Sequence, residues 1–268
     1  MQLNYDFHDL SKHDNFDLDS LPSEAMSFFW DSKKQYVYLE DLIPGYQTLQ
    51  VIGREMLAYK ISEETPPGMD GTLLESANLP ARDIEVKYFL QSDDAHDLQA
   101  KYNKLMYFLS NQDLSFNFKD EPDYFYSGIL TDIDKVEGGQ LEVVSSFTLH
   151  CPNPFKVSSI KTITVNNNEN IKDHYLIYSV VPESISFNLT GADFKFINQT
   201  QNQSFGLTIA HNNVVLTPQQ GSVTANGGLI LNDITMFSEL EKLTIKNGDL
   251  IQITNGSTAT IKYRRCLL

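Results

Sequence analysis

Residues 93–130 read DDAHDLQAKYNKLMYFLSNQDLSFNFKDEPDYFYSGIL, and no other part of the chain has so clear a helical period. Leu98, Tyr102, Leu105 and Leu109 recur at spacings of four, three and four, which places them on one face of a helix. Ser92, Asp93 and Asp94 precede them as N-cap candidates, with carboxylates suited to the positive end of a helix dipole. Asn111 is the expected stop. Leu114, Phe116 and Phe118 then alternate with Ser115 and Asn117, the period of a strand with one buried face. Asp120-Glu121-Pro122-Asp123 turns the chain, and Tyr124, Tyr126, Ile129 and Leu130 return as a second strand with Gly128 as a bulge. The stretch predicts helix, strand, tight turn, strand.

Upstream, residues 1–22 are polar and acidic and read as a leading arm. Asp14, Asp17 and Asp19 lack the spacing and the closing glutamate of a calcium loop, so they read as a solvated loop. Met26-Phe28-Trp30 and Tyr36–Leu39 form a hairpin-like pair. Leu49 and Val51 follow the Pro44-Gly45 turn, and a further strand is expected over Glu55–Ser62. Two prolines and two glycines make residues 63–80 a loop. Its Gly68-Met69-Asp70-Gly71 is no phosphate cradle, because no Gly-Lys-Ser/Thr follows to open a helix. Residues 81–90 alternate cleanly, with Ile84, Val86 and Tyr88 on one face and Asp83, Glu85 and Lys87 on the other.

Downstream, Leu141, Val143, Ser145, Phe147 and Leu149 mark a strand entered through a turn at Glu137-Gly138-Gly139-Gln140. Asp132, Asp134 and Gly138 miss the register of an EF-hand by two positions. Cys151-Pro152-Asn153-Pro154-Phe155 breaks the pattern and marks a domain boundary, giving domains 1–155 and 156–268. Beyond it short strands are expected at 160–165, 175–181, 184–189, 194–197, 206–210, 214–216, 229–231, 243–245, 250–254 and 258–263. Asn- and Gly-rich turns separate them, which indicates a sandwich or jelly-roll-like barrel. No fixed period recurs, so a solenoid or propeller is excluded. Ile234–Leu243 reads as a helical turn or loop, and residues 243–263 as two successive hairpins.

A chain of 268 residues, 41% apolar and with 16 Phe and 13 Tyr, is long and hydrophobic enough for two packed domains. Its net charge of −15 argues against a partner gripped through phosphates, whether nucleic acid or anionic membrane. It permits a pore that DNA passes without sticking. The first ten residues, MQLNYDFHDL, have neither a basic nor an apolar leader region, and no apolar run reaches a membrane-spanning length, so neither a secretory leader nor a membrane span is expected. Cys151 and Cys266 form no C-x-x-C pair and are expected as reduced, buried thiols.

Catalytic motifs are missing. There is no G-x-S-x-G elbow and no H-E-x-x-H, and the six histidines are scattered. Asp120, Glu121 and Asp123 crowd one polar turn, where carboxylates are solvated and ionised instead of being held across a substrate. No catalytic residue, cofactor or metal ligand is assigned. Trp30 and the tyrosines suit a sugar-stacking platform, and core packing explains them equally well.

The motif order resembles the distal tail proteins of phages with long, non-contractile tails. Gly68-Met69-Asp70-Gly71 is similar to that family's G-x-D-G segment, and Ala81–Val86 to its R-x-I-x-V strand, with Arg82 in the arginine position. The leucine-faced helix, the turn Asp120-Glu121-Pro122-Asp123 with Tyr126, and the C-P-N-P-F boundary follow in the family's order. Asn153 stands where aspartate is usual. Motifs cover about residues 20–155. The C-terminal half matches in character, ending in Gly248-Asp249-Leu250-Ile251-Gln252-Ile253.

The resemblance implies a mainly β protein: an N-terminal β-sandwich with one α-helix and a protruding hairpin, then a galectin-like C-terminal β-sandwich. It implies a structural, non-enzymatic hub at the virion tail tip, assembled in the host bacterial cytoplasm. Six copies would form one ring or two stacked rings, joining the major tail tube protein to the tail-associated tip protein and, in some phages, to receptor-binding proteins. Gly68, Gly71, Arg82, Asp120, Glu121, Pro122, Asp123 and Tyr126 are the family-motif positions. Two alternatives remain: a carbohydrate-binding module that recognises host cell-wall glycan through residues 156–268, and a glycan-degrading enzyme.

Overall fold

A computed structural model describes residues 21–136, 140–236 and 238–268. The leading arm with Asp14, Asp17 and Asp19, the glycine turn at 137–139 and position 237 lie outside the described residues. The chain divides into two compact units. The first takes residues up to Glu55, Ala81–Pro122 and Ser127–Pro152; the second takes Met56–Pro80, Asp123–Tyr126 and Asn153–Leu268.

In chain order the elements begin with β1 (Met26–Trp30), β2 (Gln35–Tyr38), the one-turn helix α1 (Leu39–Leu42) and β3 (Tyr46–Ile52). The hairpin β4 (Lys60–Glu64) and β5 (Leu73–Asn78) follows. Then come β6 (Arg82–Gln91), α2 (Ala95–Leu109), β7 (Leu114–Phe118), β8 (Tyr124–Ile133) and β9 (Glu142–Cys151). The sheet of the first unit runs β2-β1-β7-β8-β9-β6-β3. Its spine is the antiparallel pair β6–β9, in register from Arg82↔Cys151 to Gln91↔Glu142. The period of two in β6 turns Arg82, Ile84, Val86, Tyr88 and Leu90 inward, all buried.

The decisive stretch folds as helix, strand, turn, strand, with corrections of detail. Asp94 is the N-cap, its carboxylate accepting the Asp97 N–H at 2.7 Å. The helix stops one residue before the expected site, at a Ser110 cap. Its buried residues are Leu105, Phe108 and Leu109, while Leu98 and Tyr102 are only half-buried. Phe108 does the docking: its ring lies 5.1 Å from Phe28 and 5.4 Å from Trp30. Only the last turns of the helix are buried, so the face that packs is the one carrying Phe108. Against β9, β8 shifts register between Leu130 and Asp132. Gly128 permits close approach, since a Cβ there would stand 3.0 Å from Cys151 Sγ. Leu39 opens α1 instead of closing β2.

A larger correction concerns residues 55–80. The expected strand at 55–62 and loop at 63–80 are replaced by the β4–β5 hairpin, which pairs Lys60↔Asn78 through Glu64↔Leu73. Prolines and glycines set its connection, not a long loop.

The second unit continues with β10 (Lys156–Ser158), β11 (Lys161–Asn166), β12 (Glu169–Asn170), β13 (Ser184–Leu189), β14 (Phe194–Asn198) and β15 (Gln203–Leu207). It ends with β16 (Val214–Thr217), β17 (Ser222–Ala225), β18 (Gly228–Leu229), β19 (Leu250–Thr254), β20 (Gly256–Tyr263) and β21 (Cys266–Leu267). Two sheets, β11-β20-β13-β16-β17-β18 and β12-β19-β14-β15, enclose one core. Phe187 of the first sheet lies 4.9, 5.4 and 5.6 Å from Phe194, Phe196 and Phe205 of the second. This is a β-sandwich, and the protein is mainly β throughout.

Here too the local pattern misassigned some segments. Residues 175–181 and 243–245 are not strands; they meet only at the single bridge Val180↔Ile245. Asp173 organises the former as a turn, accepting the N–H of Tyr175 with its side chain and that of Leu176 with its carbonyl. The strand expected at 206–210 lies at Gln203–Leu207, and Leu231–Asp233 is a 3-10 turn. The two successive hairpins are absent as such: β19 and β20, joined at Asn255, belong to opposite sheets. Ile251 and Ile253 enter the core from one side, and Ala259, Ile261 and Tyr263 from the other. A corner between sheets satisfies the same alternation as a hairpin does.

Candidate functional site

Strands that end a sheet expose backbone N–H groups, and this chain treats two such places differently. At β3 the N–H of Thr48 bonds Glu40 Oε1 and that of Val51 bonds Glu24 Oε2, both at 2.9 Å. Burial drives the Glu40 carboxyl above its usual range, partly offset by the bonds from Thr48. In the hairpin, each strand has one neighbour, every residue of β4 and β5 is exposed, and the glutamates bond only hydroxyls: Ser62 to Glu75 and Thr72 to Glu63. Met56, Tyr59, Ile61, Met69, Leu73 and Leu74 are all exposed within these nineteen positions, between 48% and 89% of their surface. A two-stranded hairpin is marginal in water on its own, and large apolar side chains in solvent mark an interaction surface.

The motif positions fall in the connection of this hairpin, at the start of β6, in the turn after β7 and in β8. Gly68 and Gly71 sit between the two strands with φ of +84° and +88° and no neighbour to meet a Cβ, so backbone conformation alone asks for glycine there. Arg82 is buried, and its Nη1 donates at 2.8 Å to both Gly53 O and Glu55 O, fixing the chain just before the hairpin. Asp120 takes a two-pronged bond from Arg54, at 2.8 and 2.6 Å, and Glu121 lies 4.0 Å from the same guanidinium. Pro122 is exposed, and its carbonyl accepts Asn117 Nδ2. The Asp123 carbonyl accepts the Ser159 N–H. Tyr126 is buried.

Arg54 is the residue sequence reading missed. It also reaches Glu24 and lies 4.6 Å above the Phe118 ring. Burial works against its charge, but Asp120, Glu121 and Glu24 outweigh that and hold it protonated above its ordinary range. So the crowded turn is not free in solvent: one arginine clasps two of its carboxylates. A lone arginine between Gly53 and Glu55 was the only signal, and its partners are distant in sequence. Gly53 itself has φ +91°, and a Cβ there would stand 2.0 Å from Asp83 O.

Among the described residues no group of three or more His, Cys, Asp or Glu side chains could hold a metal, and no helix is long and apolar enough to cross a membrane. Both cysteines are free. Burial pushes the Cys151 thiol up to about 12, and Cys266 is half-buried instead of the expected fully buried.

No family model matches the chain. The distal tail protein of Bacillus phage SPP1 is 30% identical over 122 residues, 44% of this chain and 47% of that protein, so the match spans about half the relative's length. Its crystal structure, described as a paradigm of hub adsorption apparatus in phages infecting Gram-positive hosts, superposes with a TM-score of 0.73 at 19% identity, covering 90% of this chain and 98% of that one. Over those 122 residues the chain is similar in sequence to a phage distal tail protein, and over nearly its whole length it is similar in fold. A chain of the phage P2 baseplate in its activated, calcium-bound form shares the fold at a TM-score of 0.50 and 10% identity, over 90% of this chain and 97% of that one. The distal tail fold thus extends over both units, whereas detectable sequence kinship covers under half of the chain.

Proposed function

We propose that this protein is a structural hub of a phage tail tip, a distal tail protein whose copies close into a homohexameric ring. The ring is single or stacked in pairs. It joins the tail tube protein to the tail-associated tip protein and to receptor-binding proteins, and it acts in the virion after assembly in the host cytoplasm. Residues 1–155, with the β4–β5 hairpin, form the ring; residues 156–268 are the galectin-like domain. The eight motif positions act structurally, and the chain catalyses nothing. The observation that carries the reading is the fully exposed, apolar-studded hairpin. Ring closure needs a head-to-tail contact between unlike surfaces, and a strand pair with open edges supplies one half of it.

The test is solution mass by light scattering at two concentrations. Six times the 30.4 kDa chain mass, or twelve, is expected. A concentration-independent monomer that stays monomeric when mixed with its tube and tip neighbours overturns the reading. A second reading, glycan recognition by residues 156–268, is favoured by one observation, a cleft with both apolar and polar walls in the second unit.

A further inference from the structure

That cleft has a volume of about 340 Å³, at the low end of the range for ligand pockets. It is lined by the chain entering β10 and by Val157 within it, by residues 178–183, by Gln219 beyond β16, and by Arg264 and Cys266 after β20. One wall is aromatic: Phe155 and Tyr178 meet edge-on with ring centroids 5.0 Å apart. The lining also carries polar, planar groups. Glu183 and Arg264 are joined as an ion pair through Arg264 Nε, and Asn153 and Gln219 contribute amides.

Three features define what would bind. The cleft is electrically neutral, because its one cation and one anion already neutralise each other; a charged ligand would have to break that pair. Its polar groups are not used up. Arg264 spends Nε on Glu183 and Nη1 on Ser158 O, leaving Nη2; Glu183 spends Oε1 and leaves Oε2; Gln219 makes no hydrogen bond among the described residues. An adjacent spare donor and spare acceptor suit a hydroxyl, which is both at once. Finally, aromatic rings and planar polar groups lining one cleft suit a ring whose faces are C–H and whose rim is O–H.

We infer that the cleft lined by Phe155, Tyr178, Glu183, Gln219 and Arg264 is a subsite for one neutral pyranose ring. This rests on the glycan reading of the second unit and narrows it to a ligand class and a place. Tyr178 stacks against the sugar face, and the Glu183–Arg264 pair and Gln219 take its hydroxyls. A small, solvent-open subsite of this kind binds with a dissociation constant of about 1–10 mM, strengthened in an assembly by multiple copies.

The experiment is saturation-transfer NMR on the full chain with glucose, galactose, N-acetylglucosamine and, as charged probes, glucuronate and glucosamine, each titrated to about 50 mM. At least one neutral sugar should saturate, and the charged probes should bind more weakly. Gln219→Ala, at an exposed position, should weaken binding several-fold, and Tyr178→Ala about tenfold or more. Tyr175→Ala, an exposed aromatic outside the cleft, should leave it unchanged. Circular dichroism checks that each variant is folded. Saturable sugar binding that ignores both cleft variants overturns this inference and leaves the glycan reading standing. No saturable binding of any sugar by the wild type overturns both, and preference for a charged probe overturns the neutral-ligand assignment.

Discussion

Two hairpins in this chain are written alike and end up unlike. Each joins two strands through a turn that contains proline and aspartate: Thr65-Pro66-Pro67-Gly68-Met69-Asp70-Gly71-Thr72 between β4 and β5, and Lys119-Asp120-Glu121-Pro122-Asp123 between β7 and β8. In the second, Phe116, Phe118 and Tyr126 are buried, and Arg54 clasps the turn. In the first, every strand residue is exposed, apolar ones included. The difference teaches that turn chemistry makes a hairpin, while burial of its faces depends on what the remaining chain offers. Among the described residues, no element covers the apolar side chains of the first hairpin.

That contrast can be broken at four points. Phe116→Ala should cost the most, about 3–5 kcal/mol, because it opens a cavity among Phe118 and its neighbours; urea denaturation followed by circular dichroism measures it, and a loss under 1 kcal/mol would show that the β7 face is not core. Arg82→Met should cost about 2–4 kcal/mol by leaving the carbonyls of Gly53 and Glu55 without their charged donor. Limited proteolysis should then cut sooner within residues 56–80, and an unchanged cleavage rate would remove Arg82 as the hairpin's anchor. Arg54→Met keeps the packing on Phe118 and removes the clasp, for about 1–2 kcal/mol, reduced by its partial exposure. Its destabilisation should shrink in high salt relative to wild type, since salt screens the lost pair. The double change Ile61→Ser with Leu74→Ser should move monomer stability by less than about 0.5 kcal/mol, because both side chains already face water. The same variant should lose the oligomer in light scattering; an intact hexamer would place the ring contact elsewhere.

Legibility followed sequence distance. The stretch at 93–130 was readable because helix period, cap and alternation are properties of neighbours, and α2, β7 and β8 lie where these place them. Its detail went wrong where another element decides: Phe108 joins the buried face because β1 presents Phe28 and Trp30 to it. Residues 73–78 read as loop because Leu-Leu-Glu-Ser-Ala-Asn has no clean alternation, and only pairing with β4 makes it a strand. Among the motif positions, Arg82 and the acidic turn could be singled out. Their organiser, Arg54, could not, because it stands 66 residues from Asp120 in the sequence.

The sequence by itself determined a mainly β chain with one long helix, a strong negative charge and an absence of catalytic motifs. These follow from composition and from periods of two and 3.6, which each residue shares with those beside it. Only the tertiary structure decided that β19 and β20 turn a corner between sheets, that one arginine holds the acidic turn, and that the β4–β5 hairpin is left uncovered by the described residues. An alternating strand can bury its apolar face against either sheet of a sandwich, and a carboxylate can meet any cation the fold brings near. Such choices are made by contacts between segments far apart in the chain, where no local pattern reaches.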